Sequence, residues 1–408
     1  MRVLFVAYQE ASNPLMIYSQ GFPYIFGLSK MGINFSVLTY ETSSSFFHSK
    51  RLSSETIAPF KWYFLYFNKN RGVSFTILDI IRGALKVVFI IIKDEIEIVH
   101  ARGLIAALIS FLPVKILRRK FIFDTRGLLA DKYASANLVV RDGVIYRIMK
   151  IMEKFLLKRC DFFTLETNKH SEIINTELPC LSYRKKVVPC CVDLSFFKYK
   201  EETSSPIKEI SIVYLGKSGT WHKVEEMFDF FKVAIEEAKA VSFSFLTQED
   251  PDYILHLGRQ KNIDLSKFRV VNPRRSDLPF LLSGAKVGIM FIEPQDGYNS
   301  SHIKFGEYLA CGLPVIVNSG IGDTDTIIEE EKVGVIVDAF SEFEYKKAIY
   351  KLQGLLSEGE SLRQRCRAVA EKYFSLDGGI RKYLEIYERL KKDEGTILGS
   401  VSYAGSKQ

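Results

Sequence analysis

The stretch SSHIKFGEYLACGLPVIVN, residues 300–318, decides how this chain folds. Ser300, Ser301 and His302 form a polar opening to a short helical run that carries Lys304 and Glu307 and stops at Cys311-Gly312. Leu313-Pro314 then leads into an apolar strand, Val315 to Val317. A helix closed by Gly, a Pro that cannot continue it and a short buried strand make up the helix-to-strand step of a parallel sheet covered by helices. The free N–H groups at such a helix start suit an anion. A Lys and a Glu one turn apart on the same face suit a charged, hydroxylated ligand.

Working outward, the same alternation continues on both sides. Strands are expected at Ile210–Leu215, Val241–Leu246, Phe268–Val271, Val287–Phe291, Val315–Val317 and Val333–Val337. Helical runs separate them near 223–238, 252–260, 277–282, 303–311 and 342–356. An earlier series repeats the pattern, with strands at Arg2–Ala7, Asn34–Leu38, Ile96–His100, Phe121–Asp124 and Phe162–Glu166 and helices near 20–31, 104–112, 144–157 and 168–177. Strand then helix, repeated, predicts two doubly wound α/β halves with right-handed crossovers, and at 408 residues two domains are the prior. The polar run Lys200 to Pro206 reads as the linker between them. The expected division is 1–198, a linker at 199–209, a second domain at 210–375, a final helix at 376–393 and a flexible tail at 394–408. In such folds ligands sit at the carboxyl ends of the strands, here facing each other across a cleft.

Composition narrows the partners. The net charge is +8, with no aromatic RNA-reading motif and no zinc-spaced cysteines, so nucleic acid is not an expected partner. A basic, aromatic-rich chain suits phosphorylated substrates or an anionic membrane surface. The six cysteines show no C-x-x-C pair and read as reduced, buried thiols of a cytoplasmic protein. The first residues read as a strand, not a signal peptide, and Arg82, Lys86 and Lys93 break up the most apolar run. The basic amphipathic run 146–159, with Lys115, Arg118, Arg119 and Lys120 nearby, points to a peripheral contact with a cytoplasmic membrane face as an alternative to an ordinary surface helix. The six histidines are dispersed, so no metal site is expected.

The segment Glu307-Tyr308-Leu309-Ala310-Cys311-Gly312-Leu313-Pro314-Val315 resembles the donor site of the GT-B glycosyltransferases, family 4 in particular, where a Glu before A-x-G-x-P-V contacts the nucleotide ribose. The resemblance covers most of the chain. It implies two Rossmann-like domains, a last helix that crosses back to the first domain, a UDP- or GDP-linked sugar as donor and no further cofactor. It also implies a glycan or lipid-linked acceptor of bacterial surface polysaccharide synthesis, retained anomeric configuration and metal-independent transfer. Lys304 would neutralise the diphosphate, with a surface i, i+3 ion pair to Glu307 as the alternative. Lys217 and Lys223 match a basic pair six residues apart in the family, in the loop Gly216-Lys217-Ser218-Gly219 after a strand, while solvated lysines on a plain turn remain the alternative. Ser300 and Ser301 would present hydroxyl or N–H groups to the phosphates. The family's first motif Glu, eight positions before the second, would fall at Asn299 and is missing, with Asp296 nearby at the wrong spacing.

On the acceptor side, Phe123-Asp124-Thr125-Arg126-Gly127 ends a strand. Asp124 could orient or deprotonate an acceptor hydroxyl or cap a turn, and Arg126 could pair with it or hold an acceptor phosphate. His100, at the same corner one strand over in His100-Ala101-Arg102-Gly103, is a catalytic candidate or a satisfied buried His. Ser19-Gln20-Gly21 opens the first helix, where the family contacts both ligands, and Glu166 ends a strand toward the cleft or caps the next helix. Two other readings stay open: a nucleotide-sugar 2-epimerase on the same double fold, and a non-catalytic glycan-binding or scaffold protein, which the missing Glu would favour. The absence of G-x-G-x-x-G after the first strand argues against a NAD-dependent oxidoreductase.

Overall fold

The structure, a computed structural model, describes residues 1–8, 20–42, 60–67, 73–199, 210–219, 221–238, 241–293 and 300–403. Ser19, Asp296, Asn299, Thr220 and the linker residues 200–209 lie outside them.

The first half runs β1 (Arg2–Ala7), α1 (Phe22–Lys30), β2 (Asn34–Glu41), β3 (Phe60–Tyr66), α2 (Val73–Lys93), β4 (Ile98–Arg102), α3 (Leu104–Ile116), β5 (Lys120–Asp124), α4 (Leu129–Ser135), α5 (Val144–Arg159), β6 (Phe162–Leu165), α6 (Asn168–Glu177) and β7 (Lys185–Val187). The second runs β8 (Ile210–Leu215), α7 (Val224–Glu237), β9 (Val241–Leu246), α8 (Pro251–Gln260), β10 (Phe268–Val271), α9 (Leu278–Ser283), β11 (Val287–Met290), α10 (Ile303–Ala310), β12 (Val315–Asn318), α11 (Thr324–Glu331), β13 (Gly334–Val337), α12 (Glu342–Leu356), α13 (Glu360–Phe374) and α14 (Leu376–Tyr403). The strands form a seven-stranded sheet, β3-β2-β1-β4-β5-β6-β7, and a six-stranded sheet, β10-β9-β8-β11-β12-β13. Every pairing within them is parallel. Each order reverses at one point, β1/β4 in the first sheet and β8/β11 in the second, which opens a crevice at the strand carboxyl ends.

Helices cover both faces of the first sheet. Val87, Ile90 and Ile91 of α2, Ile109 of α3 and Leu156 of α5 share one buried cluster with Val6, Val99 and Phe121. The opposite face is covered by α1 and by α14, whose Ile380, Tyr383, Ile386, Tyr387 and Leu390 pack with Val3, Phe5 and Ile25. The last helix therefore crosses back onto the first domain, as the resemblance implies. At about 1.5–3 kcal/mol for each fully buried large apolar side chain, that seam is a major tie between the domains. Two glycines permit it: a Cβ on Gly27 would meet Ile380 Cδ1 at 2.2 Å, and one on Gly379 would meet Tyr24 at 2.7 Å. The chain turns across at Val192, whose N–H donates to the Phe374 carbonyl at 2.7 Å.

Three sequence expectations need correction. Helix α14 is continuous to Tyr403, beyond the expected stop at 393, and only 404–408 of the expected flexible tail lie outside the described residues. Cys180 is exposed, while the other five cysteines are buried and all six are free, because residues 179–184 form a surface 3-10 turn. Strands β3 and β7 and helices α2, α4, α11 and α13 add to the expected set.

Candidate functional site

The register of the first sheet sets one wall of the cleft. Arg102, Asp124 and Thr164 stand abreast at the ends of β4, β5 and β6. Asp124 accepts from Thr164 Oγ1 at 2.9 Å and from Arg102 Nη1 at 3.3 Å, and it is 2 % exposed. Burial alone would raise its pKa, but His100, Arg126 and Arg102 hold the carboxyl well below the usual range. His100 lies deeper. Its Nδ1 is 2.7 Å from the Tyr387 hydroxyl of α14, and its Nε2 is 3.7 Å from Asp124. Phe5 and Tyr383 flank the ring. Asp124 and His100 thus sit under the cleft floor, sealed by the returning helix, and not on its surface. They line a small pocket of about 10 Å³ together with Gln20, Arg102 and Tyr383, and not the main cavity.

The side chains that do face the cleft come one layer higher. A cavity of about 410 Å³ is lined from the first domain by Gln20, Arg102, Arg126, Lys132, Glu166 and Cys190 and from the second by Trp221, His222, Ser300, Ser301 and His302. Arg126 adopts a positive φ of 51° at the strand-to-helix corner, which turns its guanidinium toward Glu166 at 2.7 Å and Gln20 Oε1 at 2.6 Å. Gln20 Oε1 also accepts from Arg102 Nη2 at 3.2 Å, so one amide oxygen binds both arginines together. Lys132 Nζ donates to the Arg126 carbonyl at 2.7 Å and stands 3.9 Å from the other oxygen of Glu166. The cap of α6 is Thr167, which accepts from His170 N–H at 3.2 Å, so the capping role considered for Glu166 belongs to its neighbour. Glu166 lines this cavity and a second one of about 430 Å³ beyond Ser300–His302.

The opposite wall is α10 and the loop after β8. Lys304 is 8 % exposed and Glu307 4 %, so both charges are held out of water. Lys304 Nζ lies 3.3 Å from the Tyr214 hydroxyl, 3.5 Å from His222 Nδ1 and 4.5 Å from the Tyr214 ring centre. Burial pushes the Lys304 pKa down to about 7, against the pull of Glu307. Burial pushes Glu307 up to about 7, against Arg275 and Lys304. Gly216, with φ of 152°, makes room for this arrangement, because a Cβ there would meet Lys304 Nζ at 2.6 Å and the Tyr214 hydroxyl at 2.7 Å. His302 precedes the first turn of α10. Burial and the cations Lys304 and Lys132 lower its pKa to about 3, and its Nε2 has no hydrogen-bond partner among the described residues. A neutral His302 at a helix start offers a donor or acceptor to a ligand without competing for its charge.

The basic pair behaves differently from the expectation. Lys217 is exposed, with its carbonyl accepting from the Tyr214 hydroxyl at 2.7 Å. Lys223 is tied to Glu293 at 2.7 Å and Glu226 at 3.7 Å. Neither lines the two cavities, and the same holds for Lys304, Glu307 and Gly216, which sit behind the lining residues Ser300, Ser301, His302 and His222. The N–H and hydroxyl of Ser218, in the loop between the two lysines, both donate to the Glu249 carboxylate. Of the expected second-domain residues, the structure gathers Lys304, Gly216, Ser300 and Ser301 with Glu307 on one short helix and its facing loop. Sequence reasoning passed over Lys132, Trp221 and His222. His222 and Trp221 follow directly on the Gly216–Gly219 loop and were legible there, whereas Lys132 has no local signal.

Contacts across the cleft fix the two walls. Trp221 Nε1 donates to the Lys132 carbonyl at 3.3 Å, and Cys190 N–H donates to Ser301 Oγ at 3.1 Å. The first N–H groups of α6, at Asn168 and Lys169, donate to Asp323 at 2.7 and 3.0 Å. The Asp323 carboxylate thus caps a helix of the other domain.

Comparisons with known proteins agree with this architecture. A family model described as "Glucosyltransferase 3-like, C-terminal domain" matches residues 293–364, the segment around α10. No curated protein sequence matches the chain. Among solved structures, sucrose-phosphate synthase from Thermosynechococcus elongatus is similar with a TM-score of 0.76 and 14% identity, covering 96% of this chain and 100% of that one. HepE from Anabaena, solved in complex with UDP and glucose, is similar with a TM-score of 0.68 and 13% identity, covering 95% and 100%. A putative UDP-N-acetylglucosamine 2-epimerase from Listeria monocytogenes is similar with a TM-score of 0.61 and 11% identity, covering 96% and 97%. The chain has the GT-B fold, two parallel-sheet domains closed by a returning helix.

Proposed function

We propose that this chain is a glycosyltransferase that moves a sugar from a UDP- or GDP-linked donor to a hydroxyl of a glycan or lipid-linked acceptor. The observation that carries the reading is the buried Lys304–Glu307 pair on α10, with Gly216 as the facing gap. Breaking the sugar–phosphate bond leaves negative charge on the departing diphosphate. A cation already stripped of water and aimed at that oxygen stabilises the transition state without reorganising. Lys304 fits that role, helped by the N-terminal turn of α10 and by Ser300, Ser301 and His302. Among the described residues no hydrogen bond reaches the Glu307 carboxyl group, which leaves it to accept from the ribose hydroxyls. On the facing wall, Glu166, oriented by Arg126 and Lys132, receives the acceptor hydroxyl, and the Gln20-bridged arginines add positive charge for an acceptor phosphate. Retention of configuration, a family 4 assignment, a role in bacterial surface polysaccharide synthesis and a cytoplasmic site of action follow from the motif resemblance and are part of the proposal. The UDP and glucose seen in HepE support a nucleotide-sugar donor for the same fold.

Incubating the full chain with a panel of UDP- and GDP-sugars tests the reading. One donor is expected to release its nucleoside diphosphate slowly to water and faster when oligosaccharide acceptors are added. That donor, at a hundred times its Kd, is expected to stabilise the fold by about 2.7 kcal/mol. Isomerised sugar nucleotide in place of release would make the chain an epimerase. Binding with neither outcome would make it a glycan-binding protein.

A further inference from the structure

Helices α2, α3 and α5 form one layer over the first sheet, and their inner faces share a single buried cluster. Their outer faces are also apolar. On α2, Leu78, Ile81, Leu85, Phe89 and Ile92 recur at helical spacing on the solvent side, and Leu85 is 69 % exposed. Leu112 and Ile116 do the same on α3, and Val144, Ile148 and Ile151 on α5. A surface helix of a water-soluble domain normally turns a polar face outward, whereas α2 is apolar nearly all round. Exposed apolar surface on this scale marks a partner.

The charges in the layer are of one sign. The only acid of α2 is Asp79, which is buried and accepts from the Tyr8 hydroxyl at 2.9 Å. Helix α3 has none, and the only acid of α5 is Glu153, buried and accepting from Ala130 N–H at 3.1 Å. Between the apolar side chains stand Arg82, Lys86, Lys93, Lys115, Arg147 and Lys154. Lys86 and Lys93 hold their ammonium groups 4.7 and 5.4 Å from the Phe89 ring, the posture of a long cation lying along apolar surface with its head at the rim. Among the described residues no helix is long and apolar enough to cross a membrane, so this layer suits lying in an interface and not spanning it.

We propose that the α2–α3–α5 face docks on a lipid bilayer surface carrying anionic headgroups. Apolar side chains enter the headgroup region while the cations pair with lipid phosphates. The cleft opens at the end of the same layer, since Leu104 and Ile105 at the start of α3 and Leu129 and Lys132 of α4 line its cavity. A chain seated this way presents its acceptor wall to molecules anchored in the bilayer. Docking itself needs no sugar chemistry, so it stands or falls separately from the proposed transfer.

Flotation of the full chain with vesicles, with no sugar donor present, tests it. The wild-type chain is expected to float with phosphatidylcholine–phosphatidylglycerol vesicles and only weakly with phosphatidylcholine alone. Leu85→Glu with Ile92→Glu is expected to lower binding by about 10²-fold with an unchanged melting temperature, since both side chains are already in water. Arg147→Glu with Lys154→Glu is expected to lower binding to anionic vesicles about tenfold or more and leave neutral vesicles unaffected. Failure of the wild-type chain to float with anionic vesicles, or variants that float as it does, would overturn the proposal. So would a dimer in light scattering that the Leu85/Ile92 variant dissociates, which would assign the face to a second copy of the chain.

Discussion

Lys304→Ala is expected to lower kcat by about 10²–10³-fold, the usual loss when one preorganised charge is taken from a developing anion. The loss falls on kcat more than on KM, because leaving-group charge grows toward the transition state. The same residue predicts a pH profile. In the empty site Lys304 loses its proton near pH 7 and Glu307 loses its own near pH 7, while the bound donor wants Lys304 charged and Glu307 ionised. Donor affinity should therefore peak near neutrality. It should fall above pH 7 as Lys304 deprotonates and below pH 7 as Glu307 protonates, each by up to about tenfold per unit. The donor's two esterified phosphates do not titrate in this range, so the limbs belong to the protein. Lys304→Ala should remove the alkaline limb and leave the acid one. The empty fold shows the opposite shape. Glu307, raised from 4.5 to about 7, gives stability at low pH that is lost as pH rises to 7. Lys304, lowered from 10.5 to about 7, costs stability that is recovered only between pH 7 and 10.5. This pair leaves the empty site least stable where the donor binds best. Affinity measured by calorimetry across that range checks the profile, and a flat curve would place Lys304 outside the phosphate site.

Glu166→Gln is expected to leave donor affinity intact and to cut transfer about 10²-fold, the lower end of what a positioned acid–base group contributes. Glu166 already accepts from Arg126, so orientation of the acceptor hydroxyl is the larger part of its role. Asp124→Asn should behave differently. It removes the counter-charge beneath Arg102 and Arg126 and is expected to cost roughly 3–5 kcal/mol of folding stability, with transfer following the folded fraction. Melting temperature, donor affinity and transfer rate on both variants decide the matter. Full transfer by Glu166→Gln would return the acceptor role to another residue.

The contrast between Asp124 and Glu166 shows where sequence reading ends. Both close a strand of one sheet, and strand ends were legible because apolar runs alternate cleanly with helical ones. Which end residue reaches the cleft depends on what covers the sheet. Helix α14 arrives from more than 250 residues away in sequence to place Tyr383 and Tyr387 over Asp124 and His100. No local pattern carries that. The donor wall was more legible, because Lys304 and Glu307 lie on one short helix whose start, stop and following strand are all written within 300–318. The partners of the basic pair were not legible either, since Glu293 and Glu226, which pair with Lys223, lie at other positions of the sheet and helix. Helix α2 was not assigned because its apolar run was weighed only as a membrane span, which Arg82, Lys86 and Lys93 interrupt, and those same cations make its apolar outer face informative.

The most direct test of a nucleotide site at α10 is titration calorimetry of nucleoside diphosphates, UDP and GDP in turn, into the full chain and its Glu307→Gln variant at neutral pH. Saturable one-to-one binding of one of them, weakened by roughly 1–3 kcal/mol in the variant, is the expected result, the usual worth of a lost charge-assisted hydrogen bond. Binding of neither nucleotide, or equal affinity in both proteins, would contradict it.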